Sequence, residues 1–225
     1  MTGRVKPPRR YDSPLRRQQA AATRKVILDA AGRLFTERGY PTTSMETIAA
    51  AAGVSLKTVY LAFTTKGGLL RALWDLLLKG DQDTVGVAER AWYRDVLAEP
   101  DPHRQLRLTA QNSRIVKERI GGILNVIRSA APADLDASAL WQLINSDFHA
   151  NQQAIVESLA AKRALRPELT ITRATDLLWT LNHPEVWLLL VSERGWTPAQ
   201  WETWFGDSAC WQLLRPHDKH QHSAG

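Results

Sequence analysis

From about residue 17 onward, apolar side chains recur at steps of three and four, and no convincing stretch alternates with period two. A helix turns once in 3.6 residues, so this pattern gives each segment one apolar stripe to bury against a neighbour. The expected fold class is all-α. Gly, Pro, Asp and Ser/Thr punctuation sets loops at 39–42, 53–55, 63–65, 80–87, 99–102, 131–136, 166–170 and 194–197. In the body of the chain this leaves helices at 65–79, 91–98, 102–129, 137–164, 171–182, 184–194 and 198–214.

Charge is divided unevenly along the chain. The net formal charge is +6, yet residues 1–70 hold 12 Lys+Arg against 4 Asp+Glu, and the remainder is mildly acidic. A basic first third on an acidic body suggests that the first part meets a polyanion. The lone cysteine, Cys210, allows no intramolecular disulfide and no thiolate zinc site, as expected of a protein of the reducing cytoplasm. The basic N-terminus lacks an apolar segment behind it, so no secretory signal is expected, and the longest strongly apolar run, Val186–Val191, is far too short to span a bilayer. No phosphate loop, Gly-x-Ser-x-Gly, zinc signature or strand-based nucleotide fingerprint occurs, so neither an enzyme nor a cofactor is expected.

Residues 24–73 carry the most specific signal. Ile27, Ala30, Ala31, Leu34 and Phe35 form one stripe, and Gly39 can end that helix. Thr43-Ser-Met-Glu46 has capping-box spacing, with Thr43 expected as the cap of a second helix that buries Met45, Ile48, Ala49 and Ala52. Ser55 is a good cap for a third. Two short helices joined through Gly53-Val54, with small Ala49 at their contact and Val59 pinning the third helix, have the composition of a helix-turn-helix. An ordinary helical hairpin is the alternative.

The surroundings favour the former. Ile27-Leu28-x-Ala30-Ala31, Leu34-Phe35, Gly39-Tyr40, Thr43-Ser44-Met45, Ile48-Ala49, Ala52-Gly53-Val54-Ser55, Thr58-Val59-Tyr60, Phe63, Lys66 and Leu69-Leu70 together resemble the N-terminal domain of the TetR family of bacterial regulators. A looser likeness to the ends of family members runs through Leu178-Trp179, Pro184-Glu185-Val186, Glu193–Trp196 and Trp201-x-x-Trp204. The resemblance implies a three-helix DNA-binding domain on a larger helical bundle. We set the expected boundaries at 1–16 (mobile basic arm), 17–66 (DNA-binding), 67–215 (effector binding and dimerisation) and 216–225 (disordered tail).

The third helix should lie in the major groove with Ser55, Leu56, Lys57 and Thr58 on base edges. Lys57 could donate to guanine, and Leu56 or the Thr58 methyl could touch a thymine methyl; a phosphate contact is the other reading of Lys57. Thr43, Tyr60 and Lys66 match family positions that grip phosphates, though Tyr60 could instead pack in the core. The arm, with Arg4, Lys6, Arg9, Arg10, Arg16 and Arg17, could enter a minor groove or be a solubilising tail. Resemblance also implies a homodimer on a palindromic double-stranded operator. Trp187, Leu190, Val191, Trp201, Trp204, Phe205 and Trp211 are the expected dimer interface, with part of the tryptophan set as core instead.

Nine tryptophans are many for 225 residues. Trp92, Trp141, Phe148 and Trp179 could line a pocket, with Asn112, Asn145, His149, Asn182 and His183 as polar handles; pockets for small molecules are mostly apolar with a few placed polar groups. Core packing is the competing reading for each, and His183 could serve only as a cap before Pro184. His217-x-x-His220-x-His222 in the tail could take a metal adventitiously, but no metal site is expected. Thr65 is the expected cap of the fourth helix; Gly67-Gly68, in place of the family's usual acidic residues, should fray its start or else ease movement of the DNA-binding head, since each Gly costs roughly 0.8–1.0 kcal/mol against Ala in a helix interior. The expected function is that of a ligand-released repressor. Same-fold regulation without a small ligand is the first alternative and an enzyme the distant second.

Overall fold

The computed structural model describes residues 14–80 and 90–216. The arm residues Arg4, Lys6, Arg9 and Arg10, the loop residues 81–87 and the tail histidines lie outside this range. The chain divides into two compact units, Met1–Leu69 and Leu70–Gly225. Among the described residues every regular element is helical, and the one exception is an isolated bridge between Leu165 and Leu214.

The first unit is built on α1 (Pro14–Arg38), α2 (Met45–Ala52) and α3 (Leu56–Phe63). Arg16 and Arg17, expected in the arm, are the third and fourth residues of α1. Ile27, Ala31, Leu34 and Phe35 of α1 are buried with Met45, Ile48 and Ala49 of α2 and Val59 and Phe63 of α3. The α1 chain leaves through Gly39 at φ +83°, whose amide donates to Phe35 O at 3.0 Å. Arg24 ties α1 to the end of α3: its guanidinium lies 4.0 Å from the centre of the Phe63 ring and donates to Ala62 O at 2.8 Å.

The α2 cap falls one residue later than the sequence suggested. Thr43 is buried and its hydroxyl donates inward to Gly39 O at 2.8 Å, so it is not free to cap. Ser44 caps instead: its hydroxyl accepts from the Thr47 amide at 3.2 Å, and Thr47 Oγ1 accepts from the Ser44 amide at 3.0 Å. Two hydroxyl residues in succession left the choice to packing, and the first went to the core.

α4 (Lys66–Lys79) runs across the division between the units. Its start is capped by Thr65 as expected: Thr65 Oγ1 accepts from the Gly68 amide at 2.9 Å, and Thr65 O accepts from Leu69, so the two glycines do not leave the first turn without a cap.

The second unit contains α5 (Ala91–Ala98), α6 (Pro102–Ala130), α7 (Leu135–Ala161), α8 (Ile171–Leu181), α9 (Pro184–Trp187) and α10 (Pro198–Leu213). α6 starts under an Asp101 cap with Pro102 in its first turn, where a missing amide costs nothing. α10 packs along α6; Gly206 brings the two close, since a Cβ there would already stand 3.5 Å from Ala110 Cβ. α7 begins and ends earlier than expected: Asp134 caps it through the Ala137 amide, and Arg163 at φ +56° closes it.

The stretch 184–194 is not one α-helix. After one turn it widens into a π-helix over Leu188–Glu193, where Arg194 N donates to Leu189 O, five residues back, at 3.0 Å. Gly195 at φ +73° then turns the chain into α10.

The core of this unit corrects part of the expected dimer interface. Trp187, Trp201 and Phe205 are at most 3% exposed and pack on one another, with ring centroids 5.0 Å (Trp187–Trp201) and 5.1 Å (Trp201–Phe205) apart. They fill the interior of this unit with Leu106, Val156, Leu159 and Leu178, because α10 turns this face to α6 and α8. Cys210 is buried beside them, its Sγ 3.8 Å from His103 O, and burial pushes its thiol above the ordinary range. Leu190, Val191 and Trp204 are half-buried, and Leu189 and Trp211 are exposed. No helix among the described residues is long and apolar enough to cross a membrane.

Candidate nucleic-acid interface and interior cavity

The solvent face of α3 is set by what its other face must bury. Val59 and Phe63 point inward, which leaves Lys57, Tyr60 and Leu61 exposed and Leu56 and Thr58 half-buried. Ser55 is exposed, and its hydroxyl accepts from the Thr58 amide at 3.1 Å and lies 2.8 Å from Thr58 Oγ1. The two hydroxyls thus fix the start of the helix. Lys57 is the one cation on α3, and it stands within the first turn, where the helix amides also point outward.

Thr43 and Lys66, both expected at phosphates, have side chains engaged within the unit. Thr43 has its hydroxyl buried and committed to Gly39, so it presents no side chain to a phosphate. Beside it, the first turn of α2 carries Glu46, whose carboxyl is held below its usual range by a hydrogen bond from Ser44, so a negative charge already sits at that helix end. Lys66 is half-buried; its ammonium donates to Tyr40 O at 3.0 Å and lies 4.1 Å from the Tyr40 ring centre, which braces the α1–α2 turn. Leu61, the most exposed large apolar residue of α3 at 78%, went unnoticed in the sequence because a helix-period count assigns it only to the outer face.

The second unit contains a partly open cavity of about 550 Å³ lined by residues from α4, α5, α6 and α7 and by Pro184 at the start of α9. Apolar side chains dominate its wall, among them Trp74, Leu78, Val116, Ile120 and Ile144. Of the expected ligand residues, Trp92, Asn112 and Phe148 line it. Trp141, Asn145, His149, Trp179 and His183 do not. They form a separate cluster between α7, α8 and the start of α9. Trp179 stacks edge-on to His183 at 4.6 Å, Trp141 lies 6.4 Å from His183, and His149 lies 6.1 Å from Trp179. Trp141, Asn145 and His149 follow one another at four-residue steps on α7, a row beside the one that holds Ile144 and Phe148 against the cavity.

His183 has a structural role. Its Nδ1 accepts from the Glu185 amide at 3.1 Å, so its ring proton sits on Nε2 and donates to Asn145 Oδ1 at 2.9 Å. Burial first, and the nearby Lys117 in addition, push its imidazole below the usual range, against the pull of Glu185.

The sequence reading missed Lys117. It lies on the inward stripe of α6 with Leu106, Ala110, Ile120 and Leu124 and is 3% exposed. Lys117 is among the residues that line the cavity; its Nζ donates to Asn182 Oδ1 at 2.5 Å and lies 4.6 and 5.2 Å from the ring centres of Trp201 and Phe148. Asn182 is itself buried and donates to Ser113 Oγ at 3.0 Å and Gln152 Oε1 at 3.2 Å. Burial drives the Lys117 ammonium well below the usual lysine range. A lysine at a stripe position of a core helix is a legible signal, one that a search for aromatic pocket residues passes over.

Comparison with known proteins bears on both sites. Residues 27–73 match the family model described as bacterial regulatory proteins, tetR family. The HTH-type transcriptional regulator AcrR of Shigella flexneri is 30% identical over 112 residues, 49% of this chain and 50% of that protein, so the match spans half the relative's length. ArpR of Pseudomonas putida, named a probable HTH-type transcriptional regulator, is 26% identical over 179 residues, 77% of this chain and 84% of that one. Two solved structures share the fold. NalD, the secondary repressor of the MexAB-OprM multidrug efflux pump in Pseudomonas aeruginosa, superposes with a TM-score of 0.66 at 23% identity, over 88% of this chain and 98% of its own. The SmeT–triclosan complex superposes at 0.65 with 18% identity, over 87% and 93%.

Proposed function

We propose that the chain, whose residues 27–73 match the tetR family model, is a TetR-family transcriptional regulator, that it represses transcription as a homodimer on a palindromic operator and that it is released by a small apolar or aromatic effector. It is a regulator and not an enzyme. The observation that carries the DNA reading is the solvent-facing start of α3, capped by Ser55 and displaying Lys57 and Tyr60. Lys57 and Leu56 meet base edges, and Tyr60 meets phosphate. Lys66 acts by bracing the turn ahead of α2, and its remaining N–H groups are what it offers to phosphate. Leu190, Val191, Trp204 and Trp211, joined by Leu189, supply the apolar surface for a second copy.

The effector reading rests on the 550 Å³ cavity, a volume within the range of drug-sized sites, and on Trp92, Asn112 and Phe148 in its wall. That SmeT was solved with triclosan and that NalD and SmeT share the fold support an effector of this kind and a repressor role at efflux-type genes. An effector shifts DNA affinity only by its unequal affinity for the two body conformations, typically about 1–3 kcal/mol of coupling. Selection of bound sequences from random duplex DNA tests the proposal. It should return two inverted half-sites with centres about one turn apart, roughly 34–36 Å. A single unrepeated half-site, or a strictly monomeric protein, would refute the dimer reading.

A further inference from the structure

We propose that the cavity of the second unit selects amphipathic aromatic anions, with the anionic oxygen of the ligand taken by Lys117 Nζ and the rings lying against Trp74, Trp92 and Phe148. This rests on the reading of the cavity as the effector site. A lysine inside an apolar core is costly unless paired. Lys117 has no carboxylate in ion-pair range among the described residues; its one hydrogen-bond acceptor is the neutral amide oxygen of Asn182. An ammonium has three N–H donors. One serves Asn182, and the faces of Trp201 and Phe148 give only the weaker attraction of a ring for a cation. The group is therefore held in position, desolvated and left without a counter-charge at the wall of a space large enough for a ligand.

The surrounding network has the form of a support for this amine. Asn182 is locked by Ser113 and Gln152, so its Oδ1 faces Lys117 and cannot rotate away without breaking two further bonds. The other charges around the cavity are disposed differently. Arg71 pairs with Asp75 at 3.1 Å, and Lys79 and Asp147 stand at the partly exposed margin. A ligand carboxylate, sulfonate or phenolate that reaches Lys117 supplies the missing charge in a site screened from water, where a charge-assisted bond is at its strongest.

A matched pair of probes tests this by titration calorimetry on the full chain: 1-anilinonaphthalene-8-sulfonate, and N-phenyl-1-naphthylamine, which has the same rings and no sulfonate. Lys117→Met, which keeps the length and removes the charge, should weaken the sulfonate about tenfold or more and leave the neutral probe within about twofold. Asn182→Asp should do the same by placing a carboxylate on Lys117 ahead of the ligand, and it serves if the first variant fails to fold. Equal losses for both probes, or an unchanged sulfonate affinity in either folded variant, would overturn the proposal while leaving the cavity as a site for neutral effectors. If the wild-type protein binds neither probe, both the anion preference and the effector reading of the cavity fall.

Discussion

Replacing Gly53 by alanine should cost the first unit about 1 kcal/mol, and the structure says why the figure is no larger. Gly53 sits at φ +65°, ψ 30° in the turn between α2 and α3, with its amide and that of Val54 returned to the end of α2. A Cβ built there meets nothing within 4 Å, so no steric clash enters. What remains is the left-handed backbone itself, which costs an L-residue roughly 1–2 kcal/mol. Against this, alanine has fewer unfolded conformations to lose than glycine, worth about 0.4–1 kcal/mol. The net is about 1 kcal/mol. Gly53→Asn should cost less, since a short polar side chain tolerates this region. Gly195 gives an internal control: it has φ +73° and equally open space, but lies in the other unit. Gly195→Ala should show a similar loss in urea unfolding followed by circular dichroism, with DNA affinity unchanged, whereas Gly53→Ala should lower both. An alanine at 53 no worse than asparagine, or a loss above about 3 kcal/mol, would show that local backbone strain is not what this turn depends on.

Other outcomes follow from the same contacts. Tyr60→Phe should weaken binding to all DNA sequences alike and flatten its salt dependence, while Lys57→Ala should relax preference at one base pair, both read by fluorescence anisotropy across single-base variants of the selected site. Ser55→Ala and Ser44→Ala should each cost about 1 kcal/mol in thermal or urea unfolding, because each removes a side-chain acceptor from a helix start, whereas Thr43→Ser should leave the α2 cap intact. Binding of the sulfonate probe should weaken as pH rises. The bound anion favours protonated Lys117, while burial lowers its pKa in the free protein, so binding takes up a proton once pH exceeds that lowered value, and affinity then falls by up to about tenfold per pH unit. The sulfonate does not titrate. The groups around Lys117 are Arg71, Asp75 and Lys79 on α4, Tyr93 on α5 (pushed up to about 12 by burial), Arg114 and Glu118 on α6, Asp147 on α7, His183, and Glu202 on α10, which pairs with Arg114. The slope should vanish in Lys117→Met, and its persistence there would assign it to one of these others.

Much of the fold could be read from residue order because the helices are amphipathic and separated by strong punctuation. Ala49, Gly53 and Val59 fixed the α2–α3 corner through size and backbone freedom alone, and Asp101-Pro102 marked the start of α6 to the residue. Choices made by three-dimensional packing could not be read in this way. Thr43 and Ser44 are equally good caps on paper, and only the burial of Thr43 against Gly39 decides between them. The aromatic residues of the body all fit a pocket, a core or an interface by composition. Which role each takes depends on helix rotation: one row of α7 meets the cavity and the next meets Trp179 and His183, and α10 turns Trp201 and Phe205 inward while Trp211 stays in solvent. The widened turn at Leu188–Glu193 has no marker in residue type, since it satisfies the same apolar pattern as an ordinary helix.

The single sulfhydryl of this chain, shut away between α6 and α10 and made less acidic by its surroundings, has a practical consequence. Thiol-directed reagents attack the thiolate, so the native protein should stay almost unlabelled under mild conditions. Any cysteine introduced on the surface away from both proposed interfaces, at Glu37 or at Leu135 for instance, then becomes the sole point of attachment for a dye or spin label. The molecule is thus ready for distance measurements between two copies, or between protein and DNA, without first removing a native residue.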